Sequence, residues 1–427
     1  MIKSKLLISV ALFGLVISSS VMAEDIAITG GNVVTMGPNG TIKNGTVLIS
    51  DGKITSVGAG ISVPQGYKII DASGRIVTPG IVVGGSSIGI SEVSAVAGTQ
   101  DGSLTGDNAH FTASFDVSWA LNPNVTHKAI ARVEGVTRAI SVPRATNNIF
   151  SGQAAAIHLG DGMDILVKPK VAMSVSLGVS GGNRVGGSRA AAITYVRKAL
   201  DEAGRVDGRG WARGAPSRER DSLLSRMDAE ALIPVLNGDI PMLVSVTQAS
   251  DILQVIRLGQ DYKDLNIIIT GANEAHLVAD ELASAGIPVI INPENNLPSN
   301  FASLASTLYS AGRLEAANVS VSFAGGQPRL VTQVAGNAVA HGMSWQGALE
   351  GITINPARAF GLDGSIGSLE IGKEGDVVIW NGDPLELSSS PDVVIIKGEE
   401  IEMVSRQTKL RDRYMDLKKW TKNKKPK

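Results

Sequence analysis

No cysteine occurs anywhere in the 427-residue chain, which excludes disulfides, thiolate metal ligands and a cysteine nucleophile at once. Any catalysis has to use oxygen or nitrogen groups. Charge of one sign is lacking too, because 39 Lys and Arg stand against 40 Asp and Glu, a formal net charge of -1. That balance gives no long-range field to draw in nucleic acid or an anionic membrane surface, so neither is expected as a partner. Aromatic residues make up only 4% of the chain. Long hydrophobic runs are missing as well, since a bilayer span takes about 20 apolar residues. The nearest approach is the first stretch, where Lys3 and Lys5 precede an apolar run from Leu6 to Ile17 and small residues follow at Val21, Met22 and Ala23. This reads as a secretory signal peptide cut near Ala23, so the mature chain is expected in a bacterial periplasm or secreted, with no membrane span.

Glycine is abundant, with 49 residues, and 43% of the chain is hydrophobic. A large core with many tight strand-to-helix turns follows. From 24 to 79 the pattern is short alternating strands, such as TVLISDGKITSVG with Asp51-Gly52 as a hairpin turn. A similar set, SIGSLEIGKEGDVVIWNGDPL and DVVIIKGEEIEMV, returns within 362–406, and the two ends together predict one composite β-sandwich domain. Between them, residues 80–361 hold eight apolar runs: IVVG, RAISV, AAIHL, VAMSVSL, MLVSV, NIIIT, PVIIN and VSVSF. Amphipathic patterns such as RAAAITYVRKALDEA and ASDILQVIRLGQDY lie between most of them. The expected fold class is therefore α/β, a (β/α)8 TIM barrel with its site at the C-terminal strand ends, plus the small sandwich. Residues 407–427 form a basic C-terminal tail, read as solvated and frayed.

Four segments and their order carry a resemblance: GRIVTPGI (74–81), LNPNVTHKAIARVEGVTRAI (121–140), LVADELASAGIPVIINP (277–293) and ITINPARAFGLDGSIGSLEIGKEGDVVIWNGDPL (352–385). They resemble the amidohydrolase superfamily, and within it the secreted imidazolonepropionase-like amidohydrolases. The resemblance implies a metal-dependent hydrolase fold and, in active relatives, a divalent metal pair, usually zinc, at the barrel mouth. Its ligands are a His-x-His at the first strand end, a carboxylated lysine on the fourth, histidines on the fifth and sixth, and an aspartate on the eighth. A metal held this way lowers the pKa of bound water to near 7 and polarises the scissile carbonyl.

This chain departs from the pattern at each station. Gly85 and Ser87 fall on the two histidines, Ser174 on the lysine, Ser245 and Thr247 on the fifth-strand end, Gly271 on the sixth-strand histidine, and Gly326 or its neighbour Gly325 on the aspartate. Neutral hydroxyls and hydrogens carry too little charge to hold Zn²⁺, so no cofactor is expected.

The five histidines, His110, His127, His158, His276 and His341, share no spacing that would place two on one metal. They read as structural or exposed, with His158 on the third strand the one able to approach the mouth. Glu92, Asp101, Asp107 and Asp116 crowd the first long loop and read as solvated, with an oxygen-liganded Ca²⁺ or Mg²⁺ site as the sharper alternative. In GVSGGNRVGGSR (178–189), Gly178, Ser180 and Gly182 spell a nucleophile elbow, but the helix behind the serine is expected to start late. The same loop offers Arg184 and Arg189 to a carboxylate or phosphate. Glu274 sits where relatives keep a glutamate, and Asn355-Pro356 reads as framework.

Two functional readings stand. In the first, the chain is a metal-independent pseudoenzyme. It binds a small polar ligand among Ser87, Ser174, Ser245, Thr247, Gln327 and Arg184, or supports an intact amidohydrolase paralogue as a hetero-oligomer. In the second, it is an active hydrolase of C–N bonds in cyclic amides, or of dipeptides, using an unrecognised base or a non-standard metal site.

Overall fold

Short alternating strands at both chain ends and apolar runs between them call for two sheets, and the computed structural model contains two, each of eight strands. It describes residues 24–104, 110–144, 147–207 and 222–415. The N-terminal strands are β1 (Ile26–Val34), β2 (Thr41–Ser50), β3 (Lys53–Ala59), β4 (Lys68–Asp71) and β5 (Ile76–Pro79). The middle strands are β6 (Ile81–Ser86), β7 (Val136–Ser141), β8 (Phe150–His158), β9 (Leu166–Ser176), β10 (Met242–Val246), β11 (Ile267–Gly271), β12 (Val289–Ile291) and β13 (Val321–Phe323). The chain closes with β14 (Val377–Trp380), β15 (Pro391–Ile396) and β16 (Glu399–Glu400).

The expected sandwich is a single sheet by hydrogen bonding, in the order β16-β15-β14-β5-β1-β2-β3, with β4 also on β1. β4 and β5 share one edge of β1, along Ile26–Thr29 and Asn32–Val33 respectively. Between those stretches Gly30 takes φ +75° and the register against β2 slips, so the sheet bends there. Its inward residues, among them Ile28, Val47, Ile54, Val77, Ile379 and Ile395, then enclose one apolar cluster.

All eight apolar runs of the middle region form strands of the barrel sheet, β6 to β13 in chain order. One departs from the expected parallel scheme. β8 runs antiparallel to both β7 and β9, and only Leu159–Ile165 connects β8 to β9, too short a link for a helical crossover. The barrel closes without a direct β13–β6 ladder among the described residues. The carbonyls of Gly351 and Ile352 lie between the two strands and accept from Phe323 N (3.1 Å) and Val82 N (2.9 Å). A side chain at 351 would stand 2.8 Å from the Phe323 ring, so that bridge requires glycine. Val82, Ile140, Ala154, Ala172, Leu243, Ile268 and Ile290 fill the barrel, while Phe360, Leu362 and Ile366, from just after the last barrel helix, join the same cluster from below. Outer helices, chiefly Arg189–Val206, Arg226–Leu236 and Ala249–Asp261, cover the other strand faces. The tail begins as a helix, Arg406–Met415, capped reciprocally by Ser405 and Thr408, rather than frayed throughout. The lysine-rich end after Met415 and the segment 1–23 lie outside the described residues.

Barrel and end sheet are tied by one buried ion pair. Arg138 on β7 is 1% exposed and grips Asp376 through two nitrogens, one at 2.9 Å, and Glu374 through the second of them. Asp376 also accepts from Lys397 N at 2.8 Å. Replacing Asp376 with alanine leaves a buried guanidinium half-paired, so Asp376→Ala is expected to cost about 3–5 kcal/mol. Urea unfolding followed by circular dichroism checks this, and an unchanged midpoint would refute the role given to the pair.

Candidate ligand site at the barrel mouth

Parallel neighbours in register point to the same face of a sheet, which fixes what the strand ends present to the barrel interior. Leu243 pairs with Ser174, and Leu243 is an interior residue, so Ser174 faces inward. Two residues on, Ser245 pairs with Ser176 and with Thr270, and Thr270 pairs in turn with interior Ile290, which pairs with Ser322. Ser174, Ser245, Thr270 and Ser322 therefore share the interior. Ser245 is the one exposed residue of β10, which shows that the barrel is open at that level. Ser322 lies deeper and is fully buried, and its Oγ has no hydrogen-bond partner.

At the first strand end the register slips between Val83 and Ser86, a bulge at Gly84–Gly85. A methyl built on Gly84 would sit 3.4 Å from Ile290 Cδ1, and one on Gly85 would sit 3.9 Å from Ala324 Cβ, so both point inward. Ser86 pairs with Ser141, and its Oγ donates to Ile140 O at 3.3 Å, leaving half-buried Ser87 to the inward side by alternation.

Other sequence-derived positions land differently. Gly271 pairs with Val246 and Ile291, in the outward register, and leaves the strand with φ +84°, so Thr270 is the inward residue of β11. The alternation of serine and threonine with aliphatics inside fully apolar strands was the signal for Thr270 and Ser322. Thr247 is half-buried just past β10, and its carbonyl accepts from Glu274 N at 3.1 Å. Gly326 is exposed with open space at its Cβ position. Gln327 is exposed, and its Oε1 accepts from Arg329 Nε at 2.8 Å.

The glycine-rich loop after β9 also corrects its reading. A short helix, Gly178–Gly182, begins directly behind the strand, and the positive φ (+61°) falls on Gly178, not on Ser180. Ser180 thus occupies an ordinary helical position rather than a strained nucleophile turn. Arg189 is taken: its Nη1 donates to Gln248 (2.7 Å), Ser250 (3.3 Å) and Asp251 (3.0 Å). Asp251 went unnoticed in the sequence. Burial raises its carboxyl above the usual range while Arg189 opposes, and a Cβ on Gly178 would come within 3.0 Å of its Oδ2. Arg184 is half-buried, and burial lowers its pKa.

The acidic residues prove structural. Glu92 caps the helix Thr126–Arg132, accepting from Thr126 N (3.2 Å) and Oγ1 (2.6 Å), and Asp116 accepts from Ser118 N at 2.9 Å. Asp101 is exposed, and Asp107 lies outside the described residues. Glu274 is buried and accepts from Ala249 N (3.1 Å) and Ala305 N (3.2 Å), joining the start of helix Ala249–Asp261 to the loop after β12. Among the described residues no three His, Asp or Glu side chains converge as metal ligands, and the inward hydroxyls are a poor donor set for zinc.

A helix-covered barrel with an appended sheet built from both chain ends is the architecture to set beside known proteins. Residues 248–404 match the model of the Amidohydrolase family. Amidohydrolase tasK of Hapsidospora irregularis is 26% identical over 387 residues, 80% of this chain but 38% of its own length, so the chain spans about two fifths of that relative. An amidohydrolase from Thermotoga maritima MSB8 superposes with a TM-score of 0.78 at 24% identity, covering 88% of this chain and 99% of that one. A prolidase complexed with N-methylphosphonate-L-proline superposes at 0.53 and 15% identity, covering 88% and 99%. The family match thus covers the C-terminal part of the chain, and the superposition extends the likeness in fold to most of the rest.

The histidines stay away from the mouth or at its margins. His110 and His127 are exposed, and His341 Nδ1 meets Asn337 O at 2.8 Å. Because β8 runs backwards, His158 ends at the barrel floor beside Arg138, its register partner, and not at the mouth as expected. Its Nε2 donates to Asp164 O at 2.9 Å, while buried Nδ1 has no partner. Burial, then the charges of Arg138 and Lys397, hold its pKa below the ordinary 6.5, against the pull of Asp164 O and Asp376. The unfolded chain binds this proton first, so the stability His158 contributes is complete above about pH 6.5 and declines as pH falls below it. His276, lowered chiefly by burial, adds the same sign. Urea midpoints measured from pH 7.5 to 5 should fall for the native sequence and fall less for His158→Gln.

Proposed function

We propose that the chain is a metal-free member of its superfamily, an exported pseudoenzyme that binds a small polar ligand at the barrel mouth. The observation that carries this reading is the chemistry of the inward-facing strand ends: Ser174, Ser245 and Thr270 offer neutral hydroxyls where a hydrolytic dication requires imidazole or carboxylate. With Gly85 and Ser87 on the first strand end and Gly326 near the last, such a lining donates and accepts hydrogen bonds without ionising water. It suits amides, sugars or peptide backbone groups. The prolidase complexed with N-methylphosphonate-L-proline supports a ligand of amino-acid chemistry. Export through segment 1–23 belongs to the same proposal. No described helix is long and apolar enough to cross a membrane.

The rival is a hydrolase of cyclic amides or dipeptides with an unrecognised base or a non-standard metal site. Protein purified without chelator is expected to carry zinc far below one ion per chain by elemental analysis. It should turn over no member of an amide and dipeptide panel on which a relative with all its histidines is active. Near-stoichiometric zinc accompanied by turnover would establish the rival.

A second reading, support of a metal-bearing paralogue, is favoured by large apolar side chains left exposed. Phe301 (89% exposed) and Leu297 (75%) lie on the loop that leaves β12 at its C-terminal end, and Trp119 (90%) lies on the segment between β6 and β7. Side chains of that size left in water suit contact with a partner. Co-expression with such a paralogue should yield a complex that the Trp119→Ser, Phe301→Ser double variant loses without a change in melting temperature. Two separate monomers from the native pair would dispose of this reading.

A further inference from the structure

We infer that Arg184 is the anchor for an oxyanion, a carboxylate or phosphate group, on the ligand of the barrel mouth; the inference rests on the ligand-binding reading above. Three guanidiniums among the described residues have a buried nitrogen with no acceptor: Arg132, Arg138 and Arg184. The first two are nonetheless neutralised, Arg132 by Asp161 at 2.6 Å and Arg138 by Asp376 and Glu374. Among the described residues Arg184 has no ion-pair partner and no side-chain hydrogen bond, and its Nη1 is buried. A charged nitrogen removed from water without a partner is destabilising by itself, and with none among the described residues the group suits a compensating anion on a ligand.

Its placement fits. Arg184 follows the short helix Gly178–Gly182 behind β9, the strand that presents Ser174 inward, so it belongs to the loops at the mouth end. Its backbone is held: Arg184 N donates to Gly181 O at 3.0 Å and Val185 N to Gly182 O at 3.0 Å. Gly181 and Gly182 press so closely on Ser176 O and on the Ser188–Arg189 peptide that a Cβ on either would lie within 3 Å of backbone. The loop is therefore collapsed onto the strand end and carries its arginine on a fixed base. The nearby cation Arg189 is occupied by Asp251, which leaves Arg184 to supply positive charge here. A guanidinium beside neutral hydroxyls recognises a ligand with one anionic end and one hydrogen-bonding end.

The test uses acetate and inorganic phosphate, the smallest carboxylate and phosphate, each against chloride at equal ionic strength. In the full chain one of these anions is expected to raise the melting temperature by several degrees and to slow phenylglyoxal modification of Arg184, read by mass spectrometry. The arm that responds identifies the oxyanion. Arg184→Met should abolish the shift and, in chloride, melt at or above the native protein, because an unpaired buried charge has gone. Arg184→Lys should bind about tenfold more weakly, having lost the fork geometry. A shift that survives in Arg184→Met, no shift with either anion, or a lower melting temperature of Arg184→Met in chloride would each overturn the assignment. None of these results bears on zinc content or turnover, so failure here and failure of the metal-free reading are told apart.

Discussion

Arg138 is enclosed in the floor of the barrel, and a guanidinium in that position is tolerable only because carboxylates from the far end of the chain reach it. That requirement sets the architecture. Asp376 must stand at the start of β14, β14 must pair with β5, and β5 runs directly into the first barrel strand. Trp380 on β14 reinforces the seam by donating to Thr78 on β5 at 2.9 Å inside the sheet. The two chain ends are therefore not an ornament on the barrel. They supply the counter-charge without which its floor could not be buried.

The demands of floor and mouth are separable, and this chain shows how far. At the floor, charge, hydrogen bonding and packing constrain one another: Arg138, Asp376 and Lys397 N interlock, and Phe360 and Ile366 fill what remains. At the mouth the strand ends owe little to packing. Gly85 and Gly326 have space around them, and Ser245 is open to water. Residues there are free to vary while the fold stands, which is why superposition on a solved amidohydrolase spans 88% of the chain although histidine and aspartate are missing from the strand ends.

How much of this was legible in the sequence depended on which force governed each element. The barrel strands were readable because burial on both faces demands uninterrupted apolar runs, and all eight recur where the pattern placed them. The reversal of β8 was not read from the same pattern, since a buried strand looks alike in either direction. Only the brevity of Leu159–Ile165 betrays it, and with it the location of His158. Arg138 was invisible for a related reason: an arginine in an apolar run makes sense only with partners more than two hundred positions away. At the site, the family resemblance led to Ser174 and Ser245, but a positive φ at Gly271 and Ala272 ends β11 and leaves Thr270 as its inward residue, which one sequence cannot reveal.

On the proposed metal-free reading, exchange of strong ligands for hydroxyls alters the electrostatics of a barrel mouth as much as its chemistry. A binuclear dication centre imposes positive charge at the centre of the rim, and ligand anions gather there. With hydroxyls in that place the field at the centre collapses, and recognition of an anionic group has to move outward to a side chain that carries its own charge. The acidic residues near the rim are spent on framework, Glu92 on a helix start, Glu274 on two backbone amides, and Asp251 on Arg189. Arg184 is left over from that accounting, partly buried and unpaired among the described residues. The same physics that argues against a metal in the middle of the mouth thus argues for a cation at its edge.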